Sequence, residues 1–581
     1  MRSYTDLSKA WSVRAQAADT EIKYEEIKTD LPFIHSAAEI KEATFSNEWT
    51  VPSDMEGETV YIEFRQVSGD VSVYSGGALV CRHNTLSTRF RVRLTQNAVP
   101  GEKFQIKAVV VPAARADGNF IFGTVSLITV SHSHFDLDDD GTNGIYLDIN
   151  TDKPTAQVRV KAKVEYPNNY DVLSFTIINS NGESICTKTQ KPTEGESILE
   201  IPSPEYWGGQ KDASMYTLKA SLVRDATILD MLEIPFGIKE LVIEKDRFLR
   251  LNGIKLPLNG IALSNCSHIK TDRILFDLLD ANSLIADSIP SKTDLLEVCD
   301  KSGTVFWYDL PYTGTDRDMD ELREFLKQNY NHPSLAFACC SGFADSEYFK
   351  RFRKICRDCG TNVFTAMKFD IRSAAFLPDE LPDVIAITVK GGNGDENFFD
   401  VKSRFDELNK AHPETSFALF AYPPAPDETA DGKKADENAL CTWHERLWNT
   451  FCREKSIIGY FAGYLSDAPE HKDSPGLVST DREHIKDVFW FYKSQFSANE
   501  FVKICAGDLI VSDKKYIDIK CYTNTSPLRI LVNGETKRRY RHDEIYNGVF
   551  VFRRIPLKNR TNIIEVSSGD QFDRAEINYE K

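Results

Sequence analysis

No stretch of these 581 residues approaches the ~18 consecutive apolar positions that a membrane-spanning helix needs. Basic runs are missing too: 70 Lys and Arg stand against 87 Asp and Glu, a net charge of −17. That excludes nucleic acid as a partner, because phosphate contacts need clustered Lys and Arg. The opening MRSYTDLSKAWSVRAQAADT has no apolar core of the kind a secretory signal carries, so a cytoplasmic protein is expected. The twelve cysteines are scattered, and only Cys339–Cys340 and Cys356–Cys359 lie close together. Scattered thiols fit a reducing compartment. A zinc site is not expected from these pairs. The first should end a strand, and the second should ride the following helix back to the other end of the sheet.

What is present is texture of two kinds. Up to about residue 240 the chain alternates apolar and polar residues in short runs bounded by Gly and Pro, as in TVYIEFRQV (59–67), KFQIKAVVV (103–111), AQVRVKAKVEY (156–166) and YTLKASLV (216–223). This predicts two β-sandwiches. From about 250 to 500, helical periods alternate with buried apolar runs. RILFDLLDAN (273–282) places Ile274, Leu275, Leu278 and Leu279 on one helical face. GTVFWYDLP (303–311), DVIAITV (383–389), SFALFAY (416–422) and IIGYFAGYL (457–465) read as strands. DMDELREFLKQNYN (318–331) reads as a helix opened by the capping pair Asp318 and Glu321. About 250 residues of alternating β and α predict a (β/α)8 barrel, and strands return in the tail.

The predicted fold is therefore multidomain β and α/β. A jelly-roll-like sandwich spans 1–125, an Ig-like sandwich 126–242, the TIM barrel 243–500 and a C-terminal Ig-like sandwich 501–581. Between the first two sandwiches, DLDDDGTNG opens with the D-x-D-x-D-G of a calcium loop, through Asp136, Asp138 and Asp140. Leu147 stands where that loop needs a bidentate acid, so a solvated turn is expected, with calcium as the alternative. No cofactor is expected.

The order of domains resembles glycoside hydrolase family 2, the β-galactosidase and β-glucuronidase family. The local pieces are PSPEYWGG (202–209), FGIKEL (236–241), FLRLNGIKLPLNG (248–260), LLEVCDKSG (295–303), NHPS (331–334) and PGLVSTDREHIKDVFWFYKSQF (475–496). The resemblance implies a retaining mechanism with two glutamates ~5–5.5 Å apart, one an acid/base and one a nucleophile. The acid/base position falls near Gly342 and Phe343, and the nucleophile position near Ala421 and Tyr422. None of these is a carboxylate. Other rim positions of the family fall near Ser264, Ile285, Ser288, Asp309, Thr388, Lys390 and Gly463, with Asp309 in place of a glutamate.

A glycosidase must protonate a leaving oxygen and stabilise an oxocarbenium-like centre, which Phe343 and Tyr422 do not do. The expectation is a non-catalytic homologue that binds carbohydrate, or serves as a subunit in a homo-oligomer or beside an active family member. The alternative is an active β-glycosidase with relocated acids. Asp309, Asp467, Asp345 and Glu347 are the candidates for that role, although Asp345 and Glu347 also suit the first turn of the next helix. Trp307 and Tyr312 are candidate sugar-stacking aromatics at the barrel mouth; filling that mouth is their other reading.

Overall fold

The computed structural model describes the chain apart from residues 18–25, 56, 95–98, 114–117, 153, 264–267, 287–294, 312–313, 343–344, 361, 392–397, 425–436, 469–473, 506–510, 513, 537–541 and 581. Alternating sequence becomes alternating burial. In Lys103–Pro112 the apolar residues Phe104, Ile106, Ala108 and Val110 point into the first sandwich, and the residues between them are more exposed. That sandwich packs a four-stranded sheet against a six-stranded one. Its core includes Trp11, Phe45, Phe64 and Phe122, with Phe45 stacked on Phe122 at 3.9 Å. Strand Val125–Val130 pairs with both Ser3–Asp6 and Thr59–Phe64, so it belongs to this sandwich. A boundary at residue 125 would cut it, and the division moves to the far side of Val130.

The second sandwich sets Ile145–Asp152, Thr155–Ala162 and Ser197–Pro202 against Ser184–Gln190, Val172–Ile178, Tyr216–Arg224 and Thr227–Phe236. A small meander, Leu241–Lys255, then leads into a closed eight-stranded parallel barrel. Its strands are β1 (Leu258–Leu263), β2 (Ser283–Ala286), β3 (Val305–Pro311), β4 (Leu335–Ser341), β5 (Phe364–Asp370), β6 (Val384–Lys390), β7 (Ser416–Tyr422) and β8 (Ile457–Tyr464). Helices α1 (Ile269–Leu279), α2 (Leu295–Ser302), α3 (Asp316–Gln328), α4 (Ser346–Asp358), α5 (Phe398–Ala411), α6 (Glu437–Phe451) and α7 (Asp487–Phe496) surround it. A last sandwich of four- and five-stranded sheets follows. Among the described residues, no helix is long and apolar enough to cross a membrane.

Two helix readings shift. In α1 the buried face is Asp272, Leu275, Phe276 and Leu279, while Ile274 is 69% exposed. The face turns because Asp272 is drawn inside by Arg482 at 2.9 Å. In α3 the helix begins at Asp316, and neither Asp318 nor Glu321 caps it as a pair. Both are buried and used elsewhere. Asp318 accepts from the Tyr348 hydroxyl at 2.7 Å and from the Gly314 N–H at 3.0 Å. Glu321 accepts from the Leu86 N–H at 2.9 Å and from the Ser87 hydroxyl, so it fastens the first sandwich to the barrel.

The acidic loop is a second such fastening. Lys327 of α3 lies 2.8 Å from Asp139 and 2.7 Å from Asp140, and Lys163 also pairs with Asp139. Burial pushes the Asp139 carboxyl up, but these ammonium groups and the Tyr146 hydroxyl outweigh it and hold the carboxyl down at about 2. Asp138 accepts from the Tyr61 hydroxyl at 3.3 Å, and Asp136 accepts the Asp138 N–H at 2.8 Å. Lysine ammonium groups thus occupy the cation positions around this turn. Among the described residues no group of three or more His, Cys, Asp and Glu is placed to hold a metal ion.

Candidate functional site

In a parallel barrel the chemistry belongs at the C-terminal ends of the strands, on side chains that point inward. Strand alternation decides which those are. In β3, Val305 and Trp307 join the interior cluster, while Phe306, Tyr308 and Leu310 join the core under the helices. In β4, Phe337 and Cys339 are inward, and Ala338 and Cys340 face outward. In β7, Phe420 and Tyr422 are inward and Ala421 is outward. Of the two residues at the expected nucleophile position, only Tyr422 therefore faces the barrel interior.

The middle of the barrel is filled with rings. Trp307 stacks on Phe337 at 3.8 Å and meets Phe461 edge-on at 5.3 Å, and Phe420 stacks on Phe461 at 4.1 Å. All four are fully buried. Trp307 offers no face to a sugar; it is the floor rather than the rim, because the strand carries one more inward residue, Asp309, beyond it. Two glycines make the filling fit. A Cβ on Gly260 would come within 2.2 Å of the Phe461 ring. Gly463 has φ of +89°, and a Cβ there would press on the Ala421 carbonyl at 2.4 Å. A large ring at Gly463 is incompatible with this backbone.

Above the rings, Asp309 meets two partners, the Lys368 ammonium from β5 and the Ser341 hydroxyl from β4. Both charged side chains are largely buried, at 13% and 14% exposure. Burial works against the charge on Lys368, but the facing carboxylate holds its pKa well above the usual lysine range. The same burial, with Asp309 beside it, pushes the Cys339 thiol up. Lys368 also lies 5.4 Å over the Phe420 ring. Tyr422 packs on Tyr464 at 5.0 Å. Asp370, at the tip of β5, is held by Arg372 at 3.0 Å, and Arg372 also donates to the Lys390 carbonyl. The Lys368 ammonium and the Arg372 guanidinium thus each offset one of these two carboxylates, Asp309 and Asp370.

The other candidates scatter. Asp467 lies on the segment after β8, where it accepts from Lys486 at 2.6 Å and from the Gly476 N–H at 2.9 Å. It stitches its own loop. Asp345 caps α4 by accepting the Tyr348 N–H at 2.7 Å, and Glu347 is an exposed first-turn residue. Gly342 is exposed and donates its N–H to the Lys368 carbonyl at 3.0 Å. Ile285 and Thr388 are buried, and Lys390 is exposed. Phe343, Tyr312, Ser264 and Ser288 lie outside the described residues. Sequence reading missed Lys368 and Ser341. The signal for Lys368 was available: one charge inside the apolar FTAMKF marks a strand position with a buried partner.

Comparison with known proteins agrees with this architecture. The family model "Glycosyl hydrolases family 2" matches residues 134–239, the second sandwich and the start of the lead-in to the barrel. A β-glucuronidase of Bacteroides fragilis is 22% identical over 599 residues, covering 89% of this chain and 84% of that one. The mouse β-glucuronidase is 23% identical over 168 residues, covering 25% and 26% of the two chains. Among solved structures, an FMN-binding β-glucuronidase from Facaelibacterium prausnitzii superposes with a TM-score of 0.87 at 19% identity, covering 100% of this chain and 98% of that one. The Bacteroides uniformis β-glucuronidase superposes with a TM-score of 0.82 at 16% identity, covering 100% and 80%. The structural likeness at such low identity concerns the fold; the family match over residues 134–239 and the near full-length alignment support membership of glycoside hydrolase family 2.

Proposed function

We propose that this chain is a non-catalytic member of the family, whose barrel mouth binds carbohydrate without cleaving it. One observation carries this reading. Asp309, the carboxylate at the tip of β3, is tied into an ion pair with Lys368 and a hydrogen bond from Ser341. The inward residue at the nucleophile position is Tyr422. A retaining glycosidase needs two carboxylates ~5–5.5 Å apart, one of them able to hold a proton near neutral pH. In Asp309 both carboxylate oxygens are already engaged, one by the Lys368 ammonium and the other by the Ser341 hydroxyl.

Carbohydrate is the favoured ligand because relatives bind it: a Bacteroides uniformis β-glucuronidase has been captured with cyclophellitol-6-carboxylate aziridine, and one from Ruminococcus gnavus with uronic deoxynojirimycin. A uronic acid glycoside is therefore the first ligand to try. Service as a subunit beside an active family member is a role compatible with the same chemistry.

The test is a panel of chromogenic β-glucuronides, β-galactosides, β-mannosides and β-glucosides. No turnover above background is expected. Turnover that disappears in Asp309→Asn or Asp467→Asn would overturn the reading in favour of relocated acids.

A further inference from the structure

A cleft lies at the opposite end of the barrel from the mouth. About 480 Å³ opens between the edge of the second sandwich and the N-terminal ends of the barrel strands. Lys239 and Glu240 from the lead-in, Asn362 and Phe364 at the start of β5, and Pro333 before β4 contribute to its walls. We propose that this cleft is a binding site for a neutral sugar unit, separate from the barrel mouth and independent of what the mouth does.

Four features point to that ligand class. The first is size: the volume falls within the ~300–1,000 Å³ typical of small-molecule sites. The second is charge. The walls carry both signs, with the Lys239 amine on one hand and the Glu240 carboxylate on the other. A ligand with net charge gains from one and is repelled by the other. Hydroxyl groups, which donate and accept, can use both.

The third is the state of Lys239. Its amine donates to the Pro333 and Leu335 carbonyls, the latter at 3.2 Å, which accounts for two of its three N–H groups. Burial pushes its pKa down to about 8. A polar group so shifted inside a cleft marks a site rather than a surface. The fourth is the apolar flank. The Phe364 ring packs on Phe337 at 5.4 Å, and both Phe364 and Pro333 line the cleft. Ring and pyrrolidine surfaces of this kind suit the C–H face of a sugar, while the polar groups take its hydroxyls.

The walls are also preformed. Asn331 spends its side-chain amide on the second sandwich, donating to the Ile145 carbonyl and accepting the Leu147 N–H, each at 2.9 Å. Asp148 is held by Lys161 at 2.7 Å and by the Tyr330 hydroxyl. The two domains that form the cleft are thus fixed against each other before any ligand arrives, which lowers the ordering cost of binding.

The experiment is titration calorimetry, backed by saturation-transfer NMR, of the full chain with methyl β-glucoside, methyl β-galactoside, lactose and methyl β-glucuronide. Saturable binding of at least one neutral sugar is expected. Asn362→Ala and Glu240→Ala should each weaken it roughly tenfold, as loss of a ligand hydrogen bond does. Lys239→Met should weaken it at least as much. Asn362 and Glu240 are exposed, so their variants report on the cleft even if Lys239→Met fails to fold. Asp467→Asn, beyond the opposite end of the barrel, should leave this binding unchanged. No saturable binding of any neutral sugar would overturn the proposal, as would binding untouched by both Asn362→Ala and Glu240→Ala. Tighter binding of the glucuronide through Asn362 would overturn the assignment to a neutral ligand.

Discussion

The two ends of strand β4 are used very differently. Its N-terminal end, NHPS, is bonded throughout. His332 pairs with Asp300 at 2.6 Å, the Ser334 N–H donates to the same carboxylate at 3.0 Å, and Asn331 clamps the second sandwich. Its C-terminal end runs out into Ser341 and Gly342, where the family resemblance leads an acid to be expected. The lower end of a barrel carries stability and the upper end carries chemistry. Here the stabilising end keeps its network, and the chemical end keeps only an internally neutralised pair.

The sharpest way to break that contrast is to remove Lys368. Lys368→Met leaves Asp309 buried without its cation and should cost about 3–5 kcal/mol, whereas Asp309→Leu with Lys368→Met should recover most of it. Urea unfolding of the three proteins checks this. Equal loss in the single and double variants would mean the pair is structural in some way other than charge compensation. The pH dependence has a definite sign. The folded pKa of Lys368 lies above its unfolded value, so its contribution is fully present below the unfolded value of about 10.4 and is lost as pH rises through the folded one. Wild type should show that alkaline loss, and Lys368→Met should not.

Next is the lower end. Asp300 is 1% exposed and accepts from both His332 and the Ser334 N–H. Asp300→Ala should cost about 2–4 kcal/mol by stranding both donors, read by the same unfolding experiment. A loss below that of the mouth variants of Asp309 and Lys368 combined would sharpen the contrast; no loss at all would break it. The smallest effect belongs to Asp467. Its pairing with Lys486 is a third exposed, so Asp467→Asn should change stability by no more than about 1 kcal/mol. A larger effect would show that the loop it stitches bears on the barrel.

Much of this molecule is legible from its residues. Period-2 alternation marks the strands of the first sandwich because one face of each is wet and the other dry, as in Lys103–Pro112. The barrel strands are legible for another reason: buried on both faces, Val384–Lys390 and Ser416–Tyr422 read as continuous apolar runs. Landmarks such as NHPS stand out because every residue in them has a fixed partner. Less legible was how acids are used. Asp318 and Glu321 have the spacing of a helix cap, yet they serve Tyr348 and the Leu86–Ser87 segment, far away in sequence. Local spacing does not reveal a partner brought in from another domain.

The same division holds at the mouth. The sequence by itself determined that Gly342, Ala421 and Tyr422 carry no carboxylate, since side-chain identities are not changed by folding. It also determined the alternation that sends Trp307 and Asp309 the same way. Only the tertiary structure decided what became of the acids that remain. Asp309 is neutralised because β5 brings Lys368 beside it, and Asp467 serves a loop because Lys486 returns to it from beyond β8. A carboxylate's chemistry depends on the charge and burial around it, and those are set by parallel strands whose neighbours lie a whole helix away along the chain.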